Sequence, residues 1–211
     1  MNSRTEISLI QGPAGSLECA VDESPLNVSE GQWPPLAVIA HPHPLHGGTF
    51  NNKVVTTLVR AFNQAGYRCV RFNFRGIGAS EGTWDEGRGE IDDMMAVVRA
   101  FHQSGQALAL AGFSFGSYVS SHVAQQLGSA VQRLVLIGPA TSNFKVADVP
   151  AHTLVVHGEQ DEVVPLSATF DWARPQNLPV TVVPGVGHFF HGQLTLLKSL
   201  VLTHLSTPLG E

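Results

Sequence analysis

Short runs of uninterrupted apolar residues alternate along most of this chain with longer stretches in which apolar residues return every three or four positions. The run "PLAVIA" (35–40) has no polar position, as a strand covered on both faces should. It passes through "HPHPLHGGTF" into "NNKVVTTLVRAFNQAG", where Val54, Val55, Leu58, Val59 and Phe62 fall at helical spacing and Gly66 predicts the stop. "YRCVRFNF" reads as the next strand, followed by the Gly-rich loop "RGIGASEGTWDEGRG" and a helix, "EIDDMMAVVRAFHQSG", ending at Gly105. Strand "ALALAGF", helix "GSYVSSHVAQQLG", strands "VQRLVLIG" and "HTLVVHG", helix "PLSATFDWA", strand "LPVTVVP" and a last helix, "LTLLKSLVLTHL", complete the series. Ahead of them, "TEISLI" and "SLECAVDE" flank the turn-forming "QGPAG" and read as a hairpin.

Strands alternating with helices from residue 36 onward predict an α/β fold: a mostly parallel central sheet with helices on both faces and an N-terminal antiparallel hairpin. Binding belongs at the carboxyl ends of the strands in such a fold. At 211 residues, with no visible repeat or linker, the chain suits one domain over 1–211.

Composition narrows the function. A net charge of −5 without a basic stripe argues against nucleic acid as a partner. The N-terminus lacks the apolar core of a signal peptide, and no segment reaches the length of a membrane span, so the expectation is a cytoplasmic protein without a membrane partner. Cys19 and Cys69 lie within apolar strand-like runs, which suits buried thiols better than a disulfide framework. Nothing in the pattern specifies an oligomeric state.

Candidate chemistry gathers at the strand ends. "GFSFG" (112–116) is GxSxG between a strand and a helix. A sharp strand-to-helix turn exposes the hydroxyl of Ser114, and small residues two before and two after keep that turn free of clashes. The Phe115 N–H then lies at a helix N-terminus, where it can receive an oxyanion. A serine in an ordinary tight turn is the plain alternative. His188 lies just past "LPVTVVP", between glycines that free the loop, and is the candidate base; His191 is its rival. Asp161 follows "HTLVVHG" and is the candidate for orienting the imidazole, with Glu159 and Glu162 as rivals and a helix-capping acidic loop as the alternative. The chain order Ser114, Asp161, His188 is that of the α/β-hydrolases.

"HPHPLHGG" (41–48) has HxHxxH spacing, which raises a zinc site. Leu45 stands where an aspartate ligand of the HxHxDH type would be, and Pro42 and Pro44 stiffen the loop. The competing reading uses the backbone. Prolines have no N–H, which leaves His43 as the natural second oxyanion donor with Leu45 behind it, and His41 and His46 as structural rings. "RGIGASEG" lacks the third glycine of a dinucleotide loop. Its Arg75 either anchors the loop on Asp92 or Asp93 or holds an anionic substrate group.

On "HPHPLHGGTFNNKVV", "FNFRGIGASEG", "GFSFGS", "HGEQDEVVP" and "GVGHFFHG", the chain resembles the α/β-hydrolase superfamily along nearly its whole length, and within it the small lid-less branch related to dienelactone hydrolases and bacterial serine hydrolases. Dienelactone hydrolases use a cysteine nucleophile where this chain has Ser114, so the resemblance does not imply dienelactone activity. The connection "PATSNFKVADVPA" is too short for a cap domain. The expectation is a serine hydrolase acting on small acyl esters through Ser114, Asp161 and His188, with His43 and Phe115 as oxyanion donors. A thioester or amide is also compatible. No cofactor or metal is expected, and Phe113, Phe115, Phe189 and Phe190 are candidate apolar walls. A metallohydrolase using the histidine loop and a non-catalytic binding protein on the same fold are the alternatives.

Overall fold

The computed structural model describes residues 5–26, 28–29 and 31–207. Eight strands form one sheet: β1 (Glu6–Gly12), β2 (Gly15–Asp22), β3 (Leu36–Ala40), β4 (Arg68–Phe72), β5 (Leu108–Phe113), β6 (Val131–Ile137), β7 (Leu154–Gly158) and β8 (Thr181–Val183). Their spatial order is β1-β2-β4-β3-β5-β6-β7-β8. β1 and β2 form the N-terminal hairpin, β2 runs antiparallel to β4, and every pairing from β4 to β8 is parallel.

The apolar strands follow from coverage on both faces. In β3, Leu36, Val38 and Ala40 point into one apolar cluster and Ala37 and Ile39 into the other, and all five are buried. One face is covered by α2 (Arg88–Phe101) and α3 (Phe115–Leu127), which contribute Met94, Val97, Val119 and Val123. The other is covered by α1 (Lys53–Gln64) and α5 (Leu194–Ser206), through Leu58, Phe62, Leu197 and Val201. α4 (Leu166–Ala173) packs beside β7 through Ala173 and Trp172.

Local signals explain the helix ends. The Asn52 side chain accepts the Val54 N–H at 2.8 Å and starts α1. Gly66, at φ 94°, turns the chain away after it. Glu90 accepts from Gly87 N at 2.8 Å and from Asp85 N at 3.0 Å, securing the start of α2 from within the helix. β8 covers only three residues of "LPVTVVP", and Pro165 stands at the N-cap of α4 rather than in its first turn. α5 begins at Leu194, where the sequence pattern starts it, so His191 lies in the preceding turn. Cys19 and Cys69 are both buried and unpaired. They belong to different apolar clusters. No described helix is long and apolar enough to cross a membrane.

Candidate functional site

Ser114 is the hinge between β5 and α3, with φ 55° and ψ −116°. A non-glycine residue held there stores on the order of 1–3 kcal/mol of strain. The surroundings enforce it. Ser114 N donates to Ile137 O at 2.8 Å, and the Ser117 hydroxyl donates to Gly112 O at 2.8 Å. A Cβ on Gly112 would lie 2.1 Å from the Gly116 carbonyl oxygen, and one on Gly116 would lie 2.3 Å from the Ala40 carbonyl oxygen. The two glycines of the motif are therefore steric requirements of the turn, which aims the hydroxyl outward past the carboxyl edge of the sheet.

Asp161 follows β7 and its side chain is fully buried. Oδ1 accepts from the Val163 and Val164 N–H groups at 2.9 and 2.7 Å, while Oδ2 accepts from His188 Nδ1 at 2.6 Å. Burial pushes this carboxyl up, but the His188 hydrogen bond, those from Val164 and Val163, and the charge on His188 outweigh it and hold the group below its ordinary value. With Nδ1–H committed to Asp161, Nε2 is the free acceptor of the ring. The rival acids contact the backbone of the same loop: Glu162 accepts from His188 N at 3.3 Å and Glu159 from Gly185 N at 2.8 Å. The rival His191 is exposed beside Phe189, with ring centroids 5.8 Å apart.

The histidine loop divides its labour. His41 is fully buried. Its Nδ1 lies 2.6 Å from the Pro42 carbonyl oxygen, and its Nε2 accepts the Phe74 N–H at 3.1 Å. Burial lowers its pKa to about 4. Both of its nitrogens are thus used in tying the end of β3 to the end of β4. Among the described residues no three His, Cys, Asp or Glu side chains are grouped to hold a metal. His43 accepts the Leu45 N–H on its ring Nδ1 at 3.3 Å, so the Leu45 N–H behind it is already taken. Among the described residues, neither His43 N nor Phe115 N donates to a protein acceptor. A Cβ at Gly48 would meet the Pro42 carbonyl oxygen at 2.1 Å, so only glycine allows the loop to fold back this tightly. His46 is not tied down like His41; its ring stacks on that of His43 at 4.4 Å.

These loops enclose a cleft with two lobes. One, of about 360 Å³, is lined by Ser114, His188, Phe189, Asn52, His43 and His46, among others. The second, of about 270 Å³, shares Ser114, His43, His46 and Val163 with the first and adds Phe115, Asn143 and Phe144. No Asp, Glu, Lys or Arg lines either lobe. Ser114 and the His188 ring thus border the same space, although no hydrogen bond within 3.5 Å joins them among the described residues.

Of the four phenylalanines expected as walls, Phe115 and Phe189 line the cleft, whereas Phe113 and Phe190 are buried in the core. Arg75 is an anchor: Nε and Nη2 grip the two Asp93 oxygens at 3.0 and 2.8 Å, and Nη2 also donates to Gly89 O. Three contributors escaped the sequence reading. Phe144 walls the second lobe from the connection after β6. Gly138, at φ 49°, passes so close that a Cβ would lie 3.3 Å from His188 Cε1. His157, at the end of β7, lies 3.4 Å from the Asp161 oxygen that holds His188. Its one signal in the sequence was a histidine at a strand end, four residues before the acid.

Eight strands in this order, with a strained serine between β5 and α3, define an α/β-hydrolase, and the chain belongs to that family: residues 45–152 match its model, described as the alpha/beta hydrolase fold. Among solved structures, an alpha-beta serine hydrolase homologue from Coxiella burnetii is 41% identical over 95% of this chain and 97% of its own, with a TM-score of 0.83. A serine hydrolase without a lid from Xanthomonas campestris is 38% identical over 99% of both chains, with a TM-score of 0.85. An uncharacterised protein of Rickettsia prowazekii is 30% identical over 82% of this chain and 79% of its own. The chain therefore belongs to the lid-less branch of the α/β-hydrolases, and its relatives support a hydrolase.

Proposed function

We propose that the protein is a carboxylesterase-type serine hydrolase acting on small uncharged esters. The observation that carries this reading is the 2.6 Å bond between His188 Nδ1 and a buried Asp161 carboxylate, with the ring bordering the cleft that contains Ser114. In the proposed reaction, Ser114 Oγ attacks the ester carbonyl and His188 Nε2 takes its proton. Asp161 holds the ring in the tautomer with Nε2 free and stabilises the imidazolium. The N–H groups of His43 and Phe115 receive the tetrahedral oxyanion. His188 then protonates the departing alkoxide, and water, activated by the same ring, releases the acyl group. A serine–histidine hydrogen bond that is long in the free enzyme and tightens with substrate is ordinary for such sites.

The lobes support an assignment of the substrate's two halves. The leaving oxygen must depart toward His188, so the lobe bearing His188 and Phe189 takes the alcohol. The lobe walled by Phe115 and Phe144 takes the acyl group. Linings without a charged side chain suit a neutral ester, since a buried charge there would find no counterion.

The test is hydrolysis of a short p-nitrophenyl ester together with labelling by a fluorophosphonate. Wild-type protein should turn over the ester and take the label on Ser114. Ser114→Ala should lose the label and at least about a thousandfold in kcat. Unchanged turnover in the variant refutes the assignment.

A further inference from the structure

We propose that His157 is a positioning residue for the base: a second, neutral imidazole that lies against the Asp161 carboxylate and ties down the loop that carries it. The inference rests on the triad reading above. His157 is fully buried at the end of β7. Its Nε2 lies 2.9 Å from the Val164 carbonyl oxygen and 3.4 Å from Asp161 Oδ2. Both neighbours are acceptors, so Nε2 carries the proton. Nδ1 lies 3.2 Å from the Thr169 hydroxyl of α4, which is itself 3.1 Å from the Thr141 hydroxyl after β6. In the neutral ring, Thr141 donates to Thr169 and Thr169 donates to Nδ1, which completes the tautomer whose Nε2–H donates to the Val164 carbonyl and faces Asp161. Burial lowers the pKa of His157, consistent with the neutral form.

The consequence is a carboxylate held at both oxygens. Oδ1 is fixed by the amides of Val163 and Val164; Oδ2 accepts from His188 Nδ1 and lies 3.4 Å from His157 Nε2. His157 acts twice, because the Val164 carbonyl it binds belongs to the peptide chain that supplies one of those amides. The titratable groups facing His157 are Asp161, from the loop after β7, and His188, from the loop after β8; Thr169 and Thr141 provide the uncharged remainder. The positive end of the Nε2–H bond, 3.4 Å from Oδ2, draws negative charge away from His188. Without it the carboxylate stabilises the imidazolium more strongly.

The experiment measures the rate at which a fluorophosphonate labels Ser114 as a function of pH, which requires no knowledge of the natural ester. His157→Leu should label about ten- to a hundredfold more slowly on the plateau. Its acid limb should move to higher pH. His157→Gln, which returns an N–H near the Nε2 position, should recover most of the rate and the position of the limb. A loss of packing alone would slow labelling without moving the limb. A folded His157→Leu protein with the wild-type rate and limb overturns the proposal. If that variant does not fold, Thr169→Val, which deprives Nδ1 of its donor, should show the same slowing and the same shift of the limb, and wild-type behaviour in it overturns the proposal equally. Absence of label on wild-type Ser114 removes the triad reading and this inference together, whereas normal labelling with indifferent variants removes this inference alone.

Discussion

A single methyl group defines the room left for the proposed base, His188. Gly138 leaves β6 at φ 49°, and a Cβ there would approach His188 Cε1 to 3.3 Å and Nδ1 to 3.4 Å. Gly138→Ala should therefore push the imidazole from its place between Asp161 and the cleft. We expect kcat to fall between about tenfold and a hundredfold with KM little changed, measured on the same p-nitrophenyl ester. The left-handed φ adds roughly 1 kcal/mol of destabilisation, to be read from the urea midpoint. At this scale the strand-to-helix turn at Ser114 was legible because its requirements are local: Gly112, Ser114 and Gly116 are spaced by the clashes of one tight turn. Gly138 was not legible, since what it must make room for lies fifty residues away along the chain. His157 was one histidine among ten, and only folding brings it against Asp161.

At the scale of elements, the loops at the carboxyl edge are held by buried polar side chains. His41 joins the end of β3 to Phe74, just beyond β4, and its pKa falls from the ordinary 6.5 to about 4 because burial penalises the charged ring. The unfolded chain takes up this proton below 6.5 and the folded one only near 4. Its contribution is therefore fully present above pH 6.5 and is lost as pH falls toward 4. The size of the loss is about 3 kcal/mol. His204, half-buried and also lowered to about 4, acts in the same direction with a smaller weight. Urea midpoints should fall steeply across this window in wild-type protein. They should fall less steeply in His41→Asn, which will be less stable at pH 7 because the Phe74 amide loses its acceptor. A slope unchanged by the substitution would count against this role for His41. The three-histidine spacing that first suggests a metal thus separates in the fold into a buried tie (His41) and two stacked rings that border the cleft (His43 and His46).

For the whole molecule, the short connection after β6 takes the place of a lid. It is tied down by Ala147 N to the Ser121 hydroxyl at 3.0 Å, by Val149 N to the Gln176 side chain at 2.8 Å and by Trp172 Nε1 to Ala147 O at 3.3 Å. Laid flat in this way, it presents Phe144 to the second lobe beside Phe115, with ring centroids 5.0 Å apart. Phe144→Ala should lower kcat/KM for benzoyl relative to acetyl esters by about tenfold or more. Selectivity among alcohol groups should stay as it was, as the ratios across paired ester series will show. Esters with a carboxylate on the acyl side should react poorly, for want of a Lys or Arg in the lining. The alternation of apolar runs and helical periodicity determined the α/β class, since a strand buried on both faces and a helix buried on one leave different imprints on a chain. Motif spacing marked Ser114 as a candidate nucleophile for the same local reason, and the strand ends placed Asp161 and His188 as candidates. That Asp161 rather than Glu159 or Glu162 meets the His188 ring, where the three loop histidines lie, the contact of a second imidazole with Asp161 and the shape of the cleft were visible only in the tertiary structure. Each depends on distances between loops from different strands, and those distances are set by the packing of the sheet and its helices.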